Sequence, residues 1–269
     1  MIAEKVAKTE YLLTETNSLF ERVGVLWSGG KDSTAMLYMI KNSFPTFPFK
    51  VIYLDNGQDF EETYEYMDRI SKELCFEFIR QPIQIKHDDI TGLKCCGHNK
   101  TESLKKVISD EKFDAIVVSI RRDEHAIRGA ERYFSPRDNE FRWHRYNPNK
   151  GKDGETLQDT EFASWGISVN DFGPNCDHVR VHPLLHWTEI DTWRYIKERN
   201  IPINSLYFSK NGKRFRSIGC TNCSVPILSN AENIDQIIEE LEKTHSKERE
   251  GRIQDKEVAM QRLRSLGYM

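Results

Sequence analysis

One stretch near the start of the chain constrains the fold more than any other. Val23–Trp27 is a short apolar run, typical of a buried strand. Thr34–Lys41 follows, with apolar residues three and four positions apart, and this spacing predicts a helix. Between the two lies a turn, Ser28–Ser33, that holds two glycines, a lysine, an aspartate and two serines. A strand, a tight polar turn and a helix in this order are typical of an α/β protein.

The turn has the properties of a phosphate-binding loop. Its glycines allow the backbone to curl tightly and to approach a ligand. Its free N–H groups and the positive end of the following helix form an anion site, to which a lysine adds a point charge. The turn is shorter than the G-x-x-x-x-G-K-[ST] phosphate loop. We expect six residues to bind nucleotide phosphates: Ser28, Gly29, Gly30, Lys31, Asp32 and Ser33.

The remaining pattern predicts a parallel twisted sheet flanked by helices. Further strands are expected over Phe49–Leu54, Cys75–Ile79, Ala115–Ile120 and Val179–Leu185, and helices over 3–22, 60–74, 100–110, 189–199 and 231–244. Asp55 follows a strand directly, at the end of the sheet where open α/β folds bind ligands, so we expect it to contact the nucleotide. We expect an α/β nucleotide-binding domain over 1–200 and a loop-rich C-terminal extension over 201–269 that packs over the active site.

Arginines cluster after the strand that we expect to be central. Seven of them lie between 121 and 146, among five acids. Most are expected to form a solvated charged surface, but those closest to the strand end lie beside the phosphate loop. Planar guanidinium groups suit phosphate and sulfate oxygens. We therefore expect ligand contacts from Arg121, Arg122 and Arg128, and assign Asp123 and Arg216 to the nucleotide site as well.

Composition excludes several classes of protein. The 269 residues carry a net charge of -3, so no global attraction to nucleic acid or anionic membranes is expected. Apolar runs stay short of the roughly 20 residues that span a membrane, and 1–20 lack the pattern of a signal peptide, which predicts a cytoplasmic protein. In a cytosolic chain the six cysteines are not expected to form disulfides. The pairs Cys95–Cys96 and Cys220-x-x-Cys223 look more like ligands of a metal or a cluster, or redox groups.

The motifs together carry a family resemblance. S-G-G-x-D-S resembles the signature of the PP-loop ATP pyrophosphatases. The wider set resembles the small, ATP-handling subunit of bacterial sulfate adenylyltransferases, within the phosphoadenylylsulfate reductase superfamily. Its pieces are Ser28–Ser33, Asp55–Phe60, Arg121–Glu124, Glu131-Arg132, Ser135, Arg137-Asp138, Arg142-Trp143, Pro183-Leu184, Trp187–Glu189 with Asp191, Trp193 and Tyr195-Ile196, Gly219-Cys220, Gly251-Arg252 and Gly267-Tyr268.

The resemblance implies a reaction and a partner. ATP and sulfate would give adenylylsulfate and pyrophosphate, with Mg²⁺ bound to the phosphates. Lys31, Asp32, Arg121 and Arg122 would be the catalytic groups, because the leaving phosphates and the sulfate are both anions and need cations beside them. In that family a GTPase subunit drives the unfavourable equilibrium. This chain has no GTPase motif, so a partner chain is expected to supply that activity.

The cysteines resemble a different branch of the superfamily. A doublet followed far downstream by C-x-x-C is similar to the [4Fe–4S] ligands of assimilatory adenylylsulfate reductases, which implies a cluster on Cys95, Cys96, Cys220 and Cys223. Zinc on the same four thiolates, or two unrelated reduced pairs, are the alternatives. The last cysteine in the sequence is Cys223, so the Glu-Cys-Gly-x-His nucleophile of the reductases is not found.

Three other functions compete with sulfate adenylylation. One is a cluster-bearing PP-loop sulfurtransferase of the DNA-phosphorothioation type, supplied with sulfur by a cysteine desulfurase. Another is an adenylylsulfate or phosphoadenylylsulfate reductase that takes its thiol from a second chain. The third is a nucleotide-sensing or structural cluster protein, which an intact loop beside several arginines makes the weakest.

Overall fold

A computed structural model of the chain describes residues 2–83, 97–125, 128, 131–142, 176–244 and 248. The helices are α1 (Ile2–Leu19), α2 (Lys31–Ser43), α3 (Glu61–Leu74), α4 (Gly97–Glu111), α5 (Glu189–Glu198) and α6 (Ile234–Lys243). The strands are β1 (Val23–Leu26), β2 (Lys50–Asp55), β3 (Phe78–Pro82), β4 (Ala115–Val117), β5 (Phe134–Arg137), β6 (His178–Val181), β7 (Lys213–Arg214) and β8 (Ile227–Leu228).

Six strands form one sheet in the order β3-β2-β1-β4-β6-β5, and β7 pairs with β8 in a small separate hairpin. All neighbours in the large sheet are parallel except β5 and β6, which are antiparallel. β1 therefore lies between β2 and β4. The segment after β1 leads to β2 on one side, and the segment after β4 leads to β5 and β6 on the other. Sheets of this kind bind ligands in the crevice between two such strands. The predicted α/β fold class is confirmed.

The two faces of the sheet bury different helices. Val25, Val51 and Val117 point to one face, into a large core that includes apolar residues of α1, α2, α3 and α5. Ile52 and Ile116 point to the other face, where Leu104, Val107 and Ile108 of α4 cover them. The alternation follows from the two-residue period of a strand. The sheet is thus buried on both faces, as parallel sheets require.

Three strand predictions need correction. Cys75 does not start a strand: its φ of 51° ends α3, its N–H donates to the carbonyl of Ser71, and β3 begins only at Phe78. β4 ends at Val117 rather than Ile120, close to the end of its partner β1. β6 ends at Val181 rather than Leu185, because Pro183 has no N–H to donate to a neighbouring strand.

Three strands, β5, β7 and β8, were not predicted from the sequence. β5 contains Pro136, a residue that argues against a strand in the sheet interior but is tolerated at the sheet edge, where β5 lies. β7 and β8 have only two residues each, too few to show a period. The predicted cluster ligands Cys95 and Cys96, and the predicted C-terminal extension beyond 244 except for residue 248, lie outside the described residues.

Thr188 caps the N-terminus of α5, and this cap leads to a stability prediction. Thr188 accepts a hydrogen bond from the N–H of Asp191, whose carboxylate accepts from the N–H of Thr188 in return. Thr188→Ala should lower the free energy of unfolding by about 1 kcal/mol. Urea denaturation measures this, with Thr14→Ala as the control, because that hydroxyl lies mid-helix on an exposed surface of α1. Equal losses in the two variants would contradict the prediction.

Two buried histidines of the β6 region make stability depend on pH. Burial lowers the pKa of His178 and His182 to about 4, from 6.5 in a solvated chain. The unfolded chain therefore binds more protons than the folded one below pH 6.5, and folding is weakened as the pH falls. We expect the free energy of unfolding to drop by up to about 1.4 kcal/mol per pH unit for each histidine. Denaturation at pH 7, 6 and 5 tests this. His182→Gln should reduce the slope, and a pH-independent stability would contradict the prediction.

Candidate active site

A cavity of about 250 Å³ opens at the carboxyl ends of β1, β2 and β4. The phosphate loop forms one side of it, through Ser28, Gly30, Lys31, Asp32 and Ser33. Apolar residues of the strand ends and of α4 form another side: Leu26, Ile52, Leu54, Leu104 and Val118. Segments far downstream complete it with Tyr207, Ser217–Cys220, Cys223 and Glu248. Polar and apolar walls therefore face the same space.

The loop is held in shape by its own hydroxyls and by one glycine. The backbone N–H of Ser28 donates to the Ser33 hydroxyl at 3.3 Å, and that hydroxyl donates to the carbonyl of Gly30 at 3.1 Å. Gly29 has a φ of 69°, and a Cβ at that position would come within 3.0 Å of the Thr63 side chain. Glycine is thus required by both conformation and space. The turn ends at α2, which starts at Lys31 instead of the predicted Thr34, so Lys31 and Asp32 lie in its first turn.

Lys31 is 1% exposed and ion-paired with two carboxylates. Its Nζ donates to Asp32 at 3.1 Å and to Glu248. Burial alone would lower the pKa of Lys31, but Asp32 and Glu248 outweigh it and raise that pKa above its ordinary value. Burial would likewise raise the pKa of Glu248, and the two neighbouring cations, Lys31 and Arg121, lower it instead. At neutral pH the site holds a charged lysine against charged acids.

Arg121 follows β4 and is fully buried beside the loop. Its guanidinium donates to Asp32, to Glu248 and, at 2.9 Å, to Asp123. Lys31 and Arg121 bind different oxygens of the Glu248 carboxylate. Asp32 joins the two cations from the other side and also accepts from the hydroxyl of Thr192 at 2.9 Å. Two cations from separate elements therefore converge on one oxyanion.

The other sequence-predicted residues lie in several places. Arg128 lines the cavity and pairs with Glu124. Asp123 accepts from Arg121 and from the N–H of Glu189 at 2.8 Å, and burial raises its pKa. Arg122 lies over the ring of Tyr133 at 5.5 Å, Arg216 pairs with Glu189 at 2.8 Å, and Asp55 accepts from Gly57 and Tyr64, both at 2.8 Å. The cavity lining in the described chain does not include Asp55, Arg122, Asp123 or Arg216, nor does it include Arg121 or Gly29.

The Cys220-x-x-Cys223 segment forms a tight turn at the rim of the cavity. The N–H groups of Cys223 and Ser224 both donate to the carbonyl of Cys220 at 3.0 Å. Thr221 donates to the carbonyl of Gln58 through its N–H and its hydroxyl, which fixes the turn to the loop after β2. Both cysteines are buried. Cys95 and Cys96 lie outside the described residues, and the described part of the chain contains no group of three or more metal-binding side chains.

Sequence reasoning missed several residues of the cavity. Tyr207, Glu248, Asp59 and Lys100 all line it. Asp59 follows β2 within the Asp55–Phe60 motif, and this position was a usable signal. Tyr207 and Glu248 lie 176 and 217 positions from Lys31, the loop residue that both contact, and no local pattern marks either of them.

Comparison with known proteins shows the family of the chain. The parallel sheet and the glycine-containing loop between β1 and α2 define the chain as an α/β protein with a candidate phosphate-binding loop. Residues 22–226 match the phosphoadenosine phosphosulfate reductase domain family, and the chain belongs to that family. A curated relative, sulfate adenylyltransferase subunit 2 of Proteus mirabilis, is 30% identical, over 97% of this chain and 95% of its own length. The protein of the same name from Photorhabdus laumondii is 29% identical over the same shares.

Solved structures agree on the fold. A phosphoadenylyl-sulfate reductase from Candida auris aligns with a TM-score of 0.52 and 15% identity, over 81% of this chain and 90% of that chain. The FMN adenylyltransferase of Candida glabrata, solved with ATP, aligns with a TM-score of 0.54 and 16% identity, over 100% of this chain and 83% of that chain. No helix in the described part of the chain is long and apolar enough to cross a membrane.

Proposed function

We propose that the protein transfers the adenylyl group of ATP to sulfate, giving adenylylsulfate and pyrophosphate. One observation carries the proposal: Lys31 and Arg121 bind the two oxygens of the Glu248 carboxylate, and both Lys31 and Glu248 line the cavity. A phosphate group offers oxygens to the same two donors. Attack at the α-phosphorus places negative charge on the departing β- and γ-phosphates, and preorganised cations stabilise that charge. The curated relatives named sulfate adenylyltransferase subunit 2 support the same reaction.

The rest of the cavity suits the nucleotide. The apolar wall of Leu26, Ile52 and Leu104 offers a surface for a flat base next to the phosphate loop. Both carboxylate oxygens of Asp32 accept from cationic or hydroxyl donors, so Asp32 fits the role of orienting Lys31 and Arg121 better than that of a metal ligand. Mg²⁺ would enter bound to the phosphates of ATP, as this cation commonly does, and would neutralise part of the leaving-group charge.

Arg128 is the strongest choice for the contact with sulfate. Its side chain lines the cavity, and its Nε is buried without a hydrogen-bond acceptor in the described structure. The hydroxyl of Ser119, two residues after β4, also lines the cavity and is buried without a hydrogen-bond partner in the described structure. A sulfate ion bound here would accept one hydrogen bond from the Arg128 guanidinium and one from the neutral Ser119 hydroxyl. Arg122, Asp123, Arg216 and Asp55 then act by positioning the loops around the site instead of by touching ligands.

The C-terminal extension and a partner protein belong to the same proposal. Residues 201–269 would complete the active site, because Tyr207, Cys220 and Glu248 line the cavity with the phosphate loop. The name of the relatives, subunit 2, implies a second subunit, and we assign to it the GTPase activity that drives the reaction forward. Sulfate activation as a whole would then need both chains.

The reverse reaction tests the proposal without the partner. Adenylylsulfate and pyrophosphate should give ATP, which a luciferase assay detects, and this direction is the favoured one. In the forward direction, pyrophosphate release from ATP should depend on sulfate. Release of the γ-phosphate alone, or pyrophosphate release that ignores sulfate, would refute the proposal. A buffer with chloride in place of sulfate at equal ionic strength is the control.

The cysteine turn favours a second candidate, a cluster-bearing sulfurtransferase supplied by a cysteine desulfurase. Cys220 and Cys223 are buried in a tight turn, and they line the same cavity as the phosphate loop. With Cys95 and Cys96 they would provide the four thiolates of a [4Fe–4S] cluster or, alternatively, of a zinc site. Iron content and absorbance of anaerobically purified protein test this, with Cys75→Ser as the control for Cys220→Ser, because Cys75 is exposed. Metal-free protein that is fully active in sulfate-dependent pyrophosphate release would exclude this candidate.

A further inference from the structure

The side chain of Tyr207 occupies a position that a phosphate-binding helix normally offers to its ligand. The backbone N–H of Lys31, the first residue of α2, donates to the Tyr207 hydroxyl at 2.9 Å. Gly30, the N-cap residue, gives α2 no side-chain cap. The first N–H groups of a helix lack partners within the helix and are the usual anion donors. Here one of them is satisfied by a residue 176 positions away in the sequence.

The phenol keeps a hydrogen to give. Its oxygen accepts from Lys31, and no described residue accepts from its O–H. The ring is 2% exposed, lines the cavity and is held edge-on against Trp193, with ring centroids 5.2 Å apart. Burial raises the pKa of Tyr207 to about 12, so the hydroxyl is protonated at neutral pH. The donor is thus fixed in place beside the phosphate loop.

We propose that Tyr207 is a phosphate-binding residue, which passes the hydrogen-bond donation of the α2 N-terminus through its O–H to an oxygen of the β- or γ-phosphate. This proposal rests on the proposed use of ATP. The Lys31 N–H polarises the phenol, because a hydroxyl that accepts a hydrogen bond becomes a better donor. The hydrogen bond from the Lys31 N–H would thus reach the phosphate through the Tyr207 hydroxyl instead of directly. It also makes the loop-rich segment after α5 part of the nucleotide site.

The test compares ligands with and without the outer phosphates. Tyr207→Phe keeps the ring and its contact with Trp193 and removes only the hydroxyl. In calorimetric titration with the α,β-methylene analogue of ATP, Tyr207→Phe should have a dissociation constant at least tenfold higher than that of the unchanged protein. Titration with AMP should give the same constant for both proteins. Tyr66→Phe is the matched control, since Tyr66 is a buried tyrosine that bonds Thr34 of the same helix and does not line the cavity.

Each outcome separates this inference from the function itself. If the unchanged protein binds neither ATP analogue nor AMP, the proposed function fails and the inference fails with it. If it binds the analogue and Tyr207→Phe binds it equally well, only the inference is wrong. If Tyr207→Phe weakens the analogue and AMP by the same factor, the hydroxyl merely shapes the loop, which also overturns the proposal. A selective loss for the analogue, absent in Tyr66→Phe, supports it.

Discussion

Lys31→Met is expected to reduce the rate of adenylyl transfer, in both directions of the reaction, by a factor of about 100 to 1,000, the usual effect of removing one preorganised charge donor. Lys31 is 1% exposed, and its ammonium group faces the cavity between Asp32 and Glu248. Methionine has a similar length and packs in the same space but carries no charge. The departing phosphates would then meet two carboxylates and only one of the two cations. Initial rates in the favoured, ATP-forming direction measure the loss.

The matched control for this variant is Lys41→Met. Lys41 lies on the same helix, in its last turn, and is exposed. The same substitution there should leave the rate within a factor of two. Thermal melting distinguishes chemistry from folding, because Lys31→Met also leaves buried acids with fewer partners. A Lys31→Met protein that is folded and fully active would contradict the assignment of the loop as the phosphate site.

Local sequence was sufficient to predict the central β1-turn-α2 unit. Consecutive residues encode it: an apolar strand, a turn with two glycines and an amphipathic helix. The cap at Thr188 is likewise encoded within four residues, Thr188 to Asp191. Parallel strands also bring their ends together by rule, so the approach of Arg121 to the loop followed from the order of the strands.

Long-range pairing was not predictable in the same way. The contact between Tyr207 and Lys31 spans 176 residues, and that between Glu248 and Lys31 spans 217. No spacing rule connects such positions. The partners of the arginines were hidden for a related reason: a count of charges gives no distances. Arg121 and Arg128 therefore looked like free cations in the sequence, and the structure pairs both with acids.

Arg121→Met is expected to lower the free energy of unfolding by about 3 to 5 kcal/mol, because it removes one side of a buried ion network. Arg121 is fully buried, and burial alone would lower its pKa. Asp32 and Glu248 outweigh this effect and keep the pKa well above its ordinary value. Without the guanidinium, Glu248 retains only Lys31 as a cationic partner in the described network. Urea denaturation monitored by tryptophan fluorescence measures the change.

Two further variants separate lost packing from unpaired charge. Arg142→Met removes an exposed arginine that pairs with Glu140, and exposed pairs contribute at most about 1 kcal/mol. Arg121→Met combined with Glu248→Gln removes the orphaned carboxylate together with its partner. If unpaired charge causes the loss, the double variant is more stable than Arg121→Met alone, since a buried amide costs less than a buried ion with too few partners. An equal loss in the single and double variants would assign the effect to packing. The Lys31–Glu248–Arg121 arrangement would then be a consequence of the fold rather than one of its supports.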